Sequence, residues 1–242
     1  MQLENQAALP LYLSLKDALT DCLQQEYWTP DCLPVFPFLA SDESKVTVVY
    51  GDNVAGKSFF FKRLIAQLRL PPQARDRQEV FLASMSMRVS SEAHQTFMYP
   101  RETEMSTGAN SLTAIKGCLL NGRNRTHPVW LFFDEPDVGL SDRFAKAMGS
   151  FLAQEINTLP DHIKGVCIVT HSRPLLLALR EGLTGGIHQI SMGQKRTLAE
   201  FVQQSKDDPA SIEELLDLRS NAIATSRKIK ALQWELKART LA

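Results

Sequence analysis

The sequence predicts an α/β fold in which a mainly parallel central sheet is flanked by helices. Short apolar runs of β-type residues alternate along the chain with segments of helical periodicity, which is typical of βαβ units. These runs are continuously apolar, as expected of strands that are covered on both faces. The chain has 242 residues, of which 44% are hydrophobic and 22% charged, and this suits one folded domain with a small appendage.

The predicted elements begin with a helical pattern over residues 11–25, which is followed by a proline-punctuated extended segment over 29–38. Four strands are then predicted, at residues 46–50, 80–83, 129–133 and 166–170. Between the last two strands, apolar residues recur at helical spacing and are expected to face the sheet: Phe144, Met148, Phe151, Leu152 and Ile156. We expect residues 187–190 and 197–202 to form a closing hairpin around Gly193.

A last helix is predicted near the C-terminal end of the sequence. Asp208 can cap a helix, and Pro209 is tolerated at the first helical position. Ser211 and Glu214 fit a capping box, in which each side chain accepts a hydrogen bond from the backbone of the other residue. From Arg219 onwards this tail carries six basic residues and one acidic residue, so it is the one segment with a clear excess of charge.

The overall charge argues against a strong general attraction to nucleic acid or anionic membranes, because 27 basic residues balance 27 acidic ones. The first residues lack the basic segment and apolar core of a secretory signal, and no apolar run approaches the ~18–20 residues of a membrane span. Four cysteines are scattered without a CxxC pair, so we expect reduced thiols and no zinc site: Cys22, Cys32, Cys118 and Cys167. We therefore expect a cytoplasmic protein without membrane insertion.

The most specific motif lies directly after the first predicted strand. Residues 51–58 read Gly-Asp-Asn-Val-Ala-Gly-Lys-Ser, a complete G-x-x-x-x-G-K-S match that is followed by a helical pattern. The glycines allow backbone N–H groups to point at phosphates, and the helix N-terminus adds a favourable dipole. Lys57 would reach the β- and γ-phosphates. The sequence therefore predicts a nucleoside triphosphate site that is formed by Gly51, Asp52, Asn53, Val54, Ala55, Gly56, Lys57, Ser58 and Phe59.

An acidic pair follows the strand at residues 129–133. Asp134 and Glu135 leave the C-terminal end of this strand, where ligands of open α/β sheets bind. We expect Asp134 and the Ser58 hydroxyl to hold Mg²⁺, and Glu135 to be the general base that orients the attacking water. The alternative is that the acidic pair only caps a loop. A GTPase would need an NKxD-type base-reading motif, which the sequence lacks.

At these residues the chain resembles the ATP-binding-cassette (ABC) ATPase superfamily. Residues 134–142 read Asp-Glu-Pro-Asp-Val-Gly-Leu-Ser-Asp, which resembles the Walker B strand and the D-loop of that family and puts Asp137 and Asp142 in the D-loop. His171, after the next strand, is similar to the family's switch histidine, which contacts the γ-phosphate. The resemblance covers about residues 45–192 and implies a P-loop NTPase fold with Lys57, Glu135 and His171 as catalytic residues.

Two further family motifs are weaker in this sequence. Residues 105–112, which include Ser106, Thr107 and Gly108, resemble a degenerate signature motif. In that family the signature of one subunit completes the ATP site of another; the alternative is an ordinary helix cap. Gln95 is the candidate for the Q-loop, with a surface glutamine as the alternative. Three aromatic residues could stack on adenine, with core packing as the alternative: Tyr27, Trp28 and Phe36.

The resemblance is closest to stand-alone members of the overcoming-lysogenisation-defect and bacterial AAA-type ABC group. Only 77 residues (134 minus 57) separate Lys57 from Asp134, which implies a reduced helical subdomain. The sequence is therefore interpreted as an ABC-type ATPase domain over residues 1–204, with its core at 45–192, and a helical tail over 205–242 that could dock a partner.

The predicted function is Mg²⁺-dependent ATP hydrolysis by a homodimer that forms on binding ATP. Members of this group often work beside a separately encoded effector, including in anti-phage defence, and the resemblance implies such a partner here. One alternative is a DNA-processing ATPase that contacts nucleic acid through the basic tail. Another is the nucleotide-binding subunit of a membrane transporter.

Overall fold

The computed structural model describes residues 14–26, 28–29, 32–41, 43–69, 79–84, 106–203 and 211–241. These residues form an α/β structure with a six-stranded sheet. The strands are β1 (Val35–Phe38), β2 (Val46–Tyr50), β3 (Glu79–Ser84), β4 (Val129–Asp134), β5 (Ile163–Thr170) and β6 (Ile187–Met192). The helices are α1 (Leu15–Leu23), α2 (Lys57–Arg69), α3 (Thr107–Arg123), α4 (Asp142–Asn157), α5 (Arg173–Gly182), α6 (Leu198–Gln203) and α7 (Ile212–Leu241).

The sheet has the strand order β1-β6-β2-β5-β4-β3, and only the β1–β6 pair is antiparallel. The ends of the central strands are level, because Tyr50 lies opposite Thr170 and Asp134 lies opposite Val169. The loops that follow β2, β4 and β5 therefore leave the same edge of the sheet next to one another. This is the edge at which the sequence predicts the triphosphate site.

The core consists of two apolar layers, one on each face of the sheet. Val48, Leu131 and Ile168 belong to the layer under α4 and α5, whereas Trp130 and Phe132 belong to the layer under α1 and α2. All five residues are fully buried. Because successive residues of a strand point to opposite faces, covering both faces requires the continuously apolar runs that the sequence shows. The prediction of a mainly parallel sheet flanked by helices is confirmed.

Helix α4 packs on the sheet as predicted, with one exception. Met148 and Leu152 are buried, but Phe144 is 59% exposed, so the prediction that it faces the sheet was wrong. Ala145 takes the buried position in that first turn. Phe144 lies about 100° around the helix from Ala145, which places it at the margin of the apolar stripe.

The predicted closing hairpin is also wrong, because residues 198–203 form α6 instead of a strand. The reason is a capping box that the apolar pattern obscured. Thr197 N–H donates to the Glu200 carboxylate at 2.7 Å, and Glu200 N–H donates to the Thr197 hydroxyl at 3.3 Å. The antiparallel neighbour of β6 is instead β1, which comes from the extended segment before residue 39.

The last helix begins where its capping box predicts. Ser211 N–H donates to the Glu214 carboxylate at 2.7 Å, and Glu214 N–H donates to the Ser211 hydroxyl at 3.1 Å. Asp208 and Pro209, the other predicted start signals, lie outside the described residues. In the part of the chain that the structure describes, no helix is long and apolar enough to cross a membrane.

Candidate functional site

The loop between β2 and α2 carries the G-x-x-x-x-G-K-S sequence. Gly51 has a φ of 149° and Gly56 a φ of 91°. A Cβ atom on Gly51 would overlap the backbone carbonyl of Met192, so both conformation and space require glycine there. Within the described residues, the N–H groups of Lys57 and Ser58 donate to no protein acceptor. These two groups are the start of α2 and are available to an anion.

The Lys57 side chain folds back over its own loop. Its ammonium group donates to the carbonyl oxygens of Gly51 at 2.9 Å and Asp52 at 2.7 Å. Burial lowers the pKa of Lys57, while Glu135, Asp52 and Asp134 act in the opposite direction. The cation is thus held close to the acidic residues at the C-terminal end of β4, and its two hydrogen bonds stabilise the loop in this conformation.

Asp134 is a half-buried carboxylate at the end of β4. Its Oδ1 atom has no hydrogen-bond partner among the described residues. Burial raises the pKa of Asp134 to about 6, and repulsion by Glu135 adds to this effect, which Lys62 and Lys57 only partly offset. Carboxylate oxygen is the ligand type that Mg²⁺ prefers, and a bound cation would supply the missing partner. The residue therefore fits a metal site, with the exposed Ser58 hydroxyl as a second oxygen.

Glu135 contacts His171 across the gap between β4 and β5. Glu135 Oε1 lies 3.3 Å from His171 Nδ1, and Glu135 N–H donates to the Val169 carbonyl at 2.8 Å. The hydrogen bond lowers the pKa of Glu135 and raises that of His171. The Glu135 carboxylate is therefore held ionised beside an imidazole, which suits a group that accepts a proton from water.

The turn that follows β4 is locked to the end of β5. The Thr170 hydroxyl donates to Asp137 Oδ1 at 2.7 Å, and Ser172 N–H donates to the Thr170 hydroxyl at 2.9 Å. Thr170 is fully buried and Asp137 is 9% exposed. This arrangement fixes the separation of Glu135 and His171. The sequence prediction missed Thr170, although a polar residue that ends an apolar strand before His171 was a signal.

Two neighbouring cavities collect most of the predicted site residues. The first, of about 480 Å³, is lined by residues 53–59 and Glu135 on one side. The second, of about 780 Å³, is lined by Asp52, Asn53, Asp137, Asp142 and His171, among others. Asn53 lines both cavities, and the Glu135–His171 contact joins them.

The predicted signature residues lie apart from these cavities. Ser106 caps α3 by accepting a hydrogen bond from Ala109 N–H at 3.4 Å. Gly108 is buried against its own chain, where a Cβ atom would lie 3.0 Å from the Gly139 carbonyl oxygen. A Cβ on Gly139 would in turn meet Thr107. The start of α3 thus has a structural explanation within one chain, as the helix-cap alternative expected.

The remaining predicted site residues are the candidates for adenine stacking and for the Q-loop, together with Phe59. The Trp28 ring packs on Phe59 and Phe60 at centroid distances of 5.6 and 5.3 Å, and its indole N–H donates to the Cys22 carbonyl. Core packing therefore explains both Trp28 and the Phe59 ring. Phe36 lies in the edge strand β1. Two candidates lie outside the described residues: Tyr27 and Gln95.

The other side of the 480 Å³ cavity is formed by α7, which the sequence did not place there. Its contributing residues are Ala222, Thr225, Ser226, Ile229, Lys230 and Gln233. Residues of the same helix, Glu214, Leu215 and Leu218, line the 780 Å³ cavity. The helix therefore crosses the loop edge of the sheet. No sequence signal could have found this, because helical periodicity identifies a face of a helix but not what that face covers.

Backbone strain is concentrated at this site. Among the described residues, only Val54 and Glu135 combine a side chain with a positive φ, of 63° and 49°. A β-branched residue such as valine rarely adopts this conformation, which costs about 1–2 kcal/mol per residue. Strain of this kind persists where the surrounding structure enforces it, and it is typical of ligand-binding and catalytic positions.

Replacing Val54 by glycine tests this strain. Val54→Gly is expected to leave the free energy of unfolding unchanged or to raise it by up to about 1 kcal/mol, because glycine accepts a positive φ. The control is Val138→Gly, which removes the same half-buried side chain in the neighbouring turn at a negative φ. We expect that control to lower the free energy of unfolding in urea by about 1 kcal/mol. If both variants lost the same free energy of unfolding, backbone strain at Val54 would be contradicted.

The chain was also compared with known proteins. A scan against protein-family models found no match, and a search of curated proteins found none either. The site combines a glycine-rich loop, a helix N-terminus, a half-buried carboxylate with an unpartnered oxygen and a Glu–His pair at one edge of the sheet.

Proposed function

We propose that the chain binds ATP with Mg²⁺ and hydrolyses it to ADP and phosphate, as a P-loop NTPase of the ABC type. The observation that carries this proposal is that Lys57, Ser58 and Glu135 line one cavity beside the unpartnered Asp134. A lysine and free helix N–H groups suit a polyphosphate, and the acidic residues suit a cation and an attacking water. The choice of ATP rests on the resemblance of residues 134–142 and His171 to the ABC family.

Each side chain then has a defined task. The Lys57 ammonium leaves the loop carbonyls and contacts the terminal phosphates, so that it offsets the charge that develops on their oxygens. Ser58 and Asp134 would hold Mg²⁺, which would supply Lewis-acid neutralisation of the phosphates. Glu135 accepts the proton of the water that attacks the γ-phosphorus, while the bond from that phosphorus to the bridging oxygen breaks and ADP leaves. His171 keeps Glu135 oriented and ionised.

The direct experiment measures phosphate release by the purified chain with Mg²⁺-ATP, and compares it with Mg²⁺-GTP and with ATP in the presence of a chelator. Turnover that requires both Mg²⁺ and ATP would support the proposal. A chain that binds neither nucleotide by calorimetry would contradict it.

Asp134→Asn tests the metal role through stability. Because burial raises the pKa of Asp134 to about 6, its contribution to stability is present below about pH 4 and is lost as pH rises through about 6. Without metal, Asp134→Asn is therefore expected to melt at a higher temperature than the original chain at pH 7.5, with no such gain at pH 4. Mg²⁺-ATP is expected to raise the melting temperature of the original chain more than that of the variant.

The matched control is Asp161→Asn, which makes the same change at a fully exposed carboxylate. Its melting temperature is expected to equal that of the original chain at both pH values, with and without Mg²⁺-ATP. If Asp134→Asn melts lower than the original chain at pH 7.5 without metal, Asp134 has a structural partner and the metal role is contradicted.

In the homodimer that the resemblance implies, each nucleotide site would be completed by a second subunit. In it, Ser106 and Gly108 of one subunit would contact the nucleotide of the other. Ser106 is exposed, which is compatible with such a contact, but Gly108 is enclosed by its own chain. The arrangement also requires α7 to leave the loop, because the facing subunit and α7 would contact the same phosphates.

Turnover is proposed to act on a separately encoded effector, as the resemblance implies, with α7 as the docking element. Outside the two cavity linings, α7 exposes four large apolar side chains, which suits a protein contact: Ile212 (72%), Leu216 (72%), Ile223 (43%) and Trp234 (77%). The alternative partner is nucleic acid, which the basic residues after Arg219 would contact. DNA affinity that falls linearly with the logarithm of salt concentration would favour nucleic acid over a protein effector.

A further inference from the structure

Helix α7 is attached over the loop at one well-buried residue. Ile229 is 8% exposed and is the one buried residue of α7 among its described side chains. Leu216 and Trp234, by contrast, are 72% and 77% exposed. The buried contact of this helix thus falls at the cavity that contains Lys57 and Ser58, and not at its exposed apolar residues.

The face of α7 that meets this cavity combines two apolar residues, Ala222 and Ile229, with four polar ones. Thr225, Ser226 and Gln233 lie three or four residues from Ile229, on the same side of the helix, and Lys230 follows it directly at the edge of that face. They supply hydroxyl, amide and ammonium donors. A helix that served only to cover apolar surface would present an apolar stripe here. Donor groups opposite a phosphate-loop sequence suit the oxygens of a polyphosphate or a ribose. The cavity volume of about 480 Å³ is also of the size of small-molecule sites.

We propose that α7 is the second wall of the nucleotide site, so that ATP is held between the loop and α7 of one chain with Lys230 donating to its phosphate oxygens. This inference rests on the proposed function and deepens it. Lys230 is a ligand-binding residue in this arrangement, and Ile229 positions it. The site is complete within one chain, without the signature segment of a second subunit.

The first test replaces Lys230 in the full chain and measures Mg²⁺-ATP affinity by calorimetry. Lys230→Gln is expected to weaken ATP binding by about tenfold, as for loss of a hydrogen bond to a charged group. Adenosine, which has no phosphate, should show no such difference. The control Lys228→Gln makes the same change two residues away on α7, outside the cavity lining, and is expected to bind ATP as the original chain does. Equal ATP affinities of the two variants would overturn the proposal.

The second test detaches the helix without touching a donor. Ile229→Ala removes the buried anchor and is expected to weaken ATP binding and speed its release, whereas Ile223→Ala, at an exposed residue of α7 that does not line the cavity, is expected to change neither. Tighter binding or faster turnover in Ile229→Ala would mean that α7 obstructs the site, and would overturn the proposal.

The third test is the mass in solution of Glu135→Gln with Mg²⁺-ATP, measured by light scattering. A monomer with bound ATP is expected. An ATP-dependent dimer would overturn closure by α7, since the facing subunit needs the same space.

The proposed ATPase function is tested separately by Lys57→Met. If that variant binds ATP as tightly as the original chain, the proposed function is contradicted, whatever the result at Lys230.

Discussion

Glu135→Gln is expected to lower steady-state ATP turnover by a factor of about 10²–10⁴, with ATP affinity unchanged within about twofold. The amide keeps the size of the side chain but cannot accept the proton of the attacking water. The variant also removes the negative partner of His171, whose pKa is raised chiefly by that hydrogen bond. We therefore expect the pKa of His171 to fall towards its ordinary value, which proton NMR of the imidazole would measure.

The matched control for this variant is Glu181→Gln on the exposed end of α5. It makes the same chemical change far from the cavity lining and should retain full turnover. Phosphate release and nucleotide affinity should be measured on the same preparations, so that a lost fold is not mistaken for lost chemistry. Turnover of Glu135→Gln at the original rate would show that another group activates the water.

Lys57→Met is expected to weaken ATP binding by about a hundredfold or more. The methionine fills the same space but removes the ammonium group that would contact the terminal phosphates, and charge-assisted hydrogen bonds are the strong ones. It also removes the hydrogen bonds from Lys57 to the carbonyls of Gly51 and Asp52. Equilibrium titration with Mg²⁺-ATP is the measurement.

Two comparisons separate binding from stability in this variant. Lys146→Met, at an exposed position of α4, removes a lysine of the same length and is expected to leave affinity unchanged. The melting temperature of Lys57→Met without nucleotide reports the combined effect on stability of losing the two loop hydrogen bonds and the buried charge. A variant that keeps its fold and still binds ATP as tightly as the original chain would remove Lys57 from the site.

The sheet was predictable because parallel strands covered on both faces leave a continuous apolar pattern. Strand β4 illustrates this, since Trp130 and Leu131 serve opposite layers and both must be apolar. The two errors have local causes. The Thr197–Glu200 capping box outweighed the β-type residues around it, and Phe144 lies just outside the buried stripe of α4.

The members of the candidate site could be named from sequence because each follows a strand or belongs to a spaced motif. The level ends of β2, β4 and β5 then bring Lys57, Glu135 and His171 into neighbouring cavities, while their roles stay predictions. Other features depend on the tertiary structure. Nothing in a valine indicates a positive φ at Val54, and only the packing of Ile229 shows what α7 covers.

The position of α7 across the loop also determines how ATP turnover would depend on protein concentration. A wall that is covalently tethered to the site it covers is present at a high effective concentration, which for short connections is in the millimolar range. A site completed by a second chain is lost on dilution, whereas one completed by α7 is not. ATP turnover per molecule would then be the same at nanomolar and micromolar protein, and each chain would act as an independent unit even where the protein is scarce.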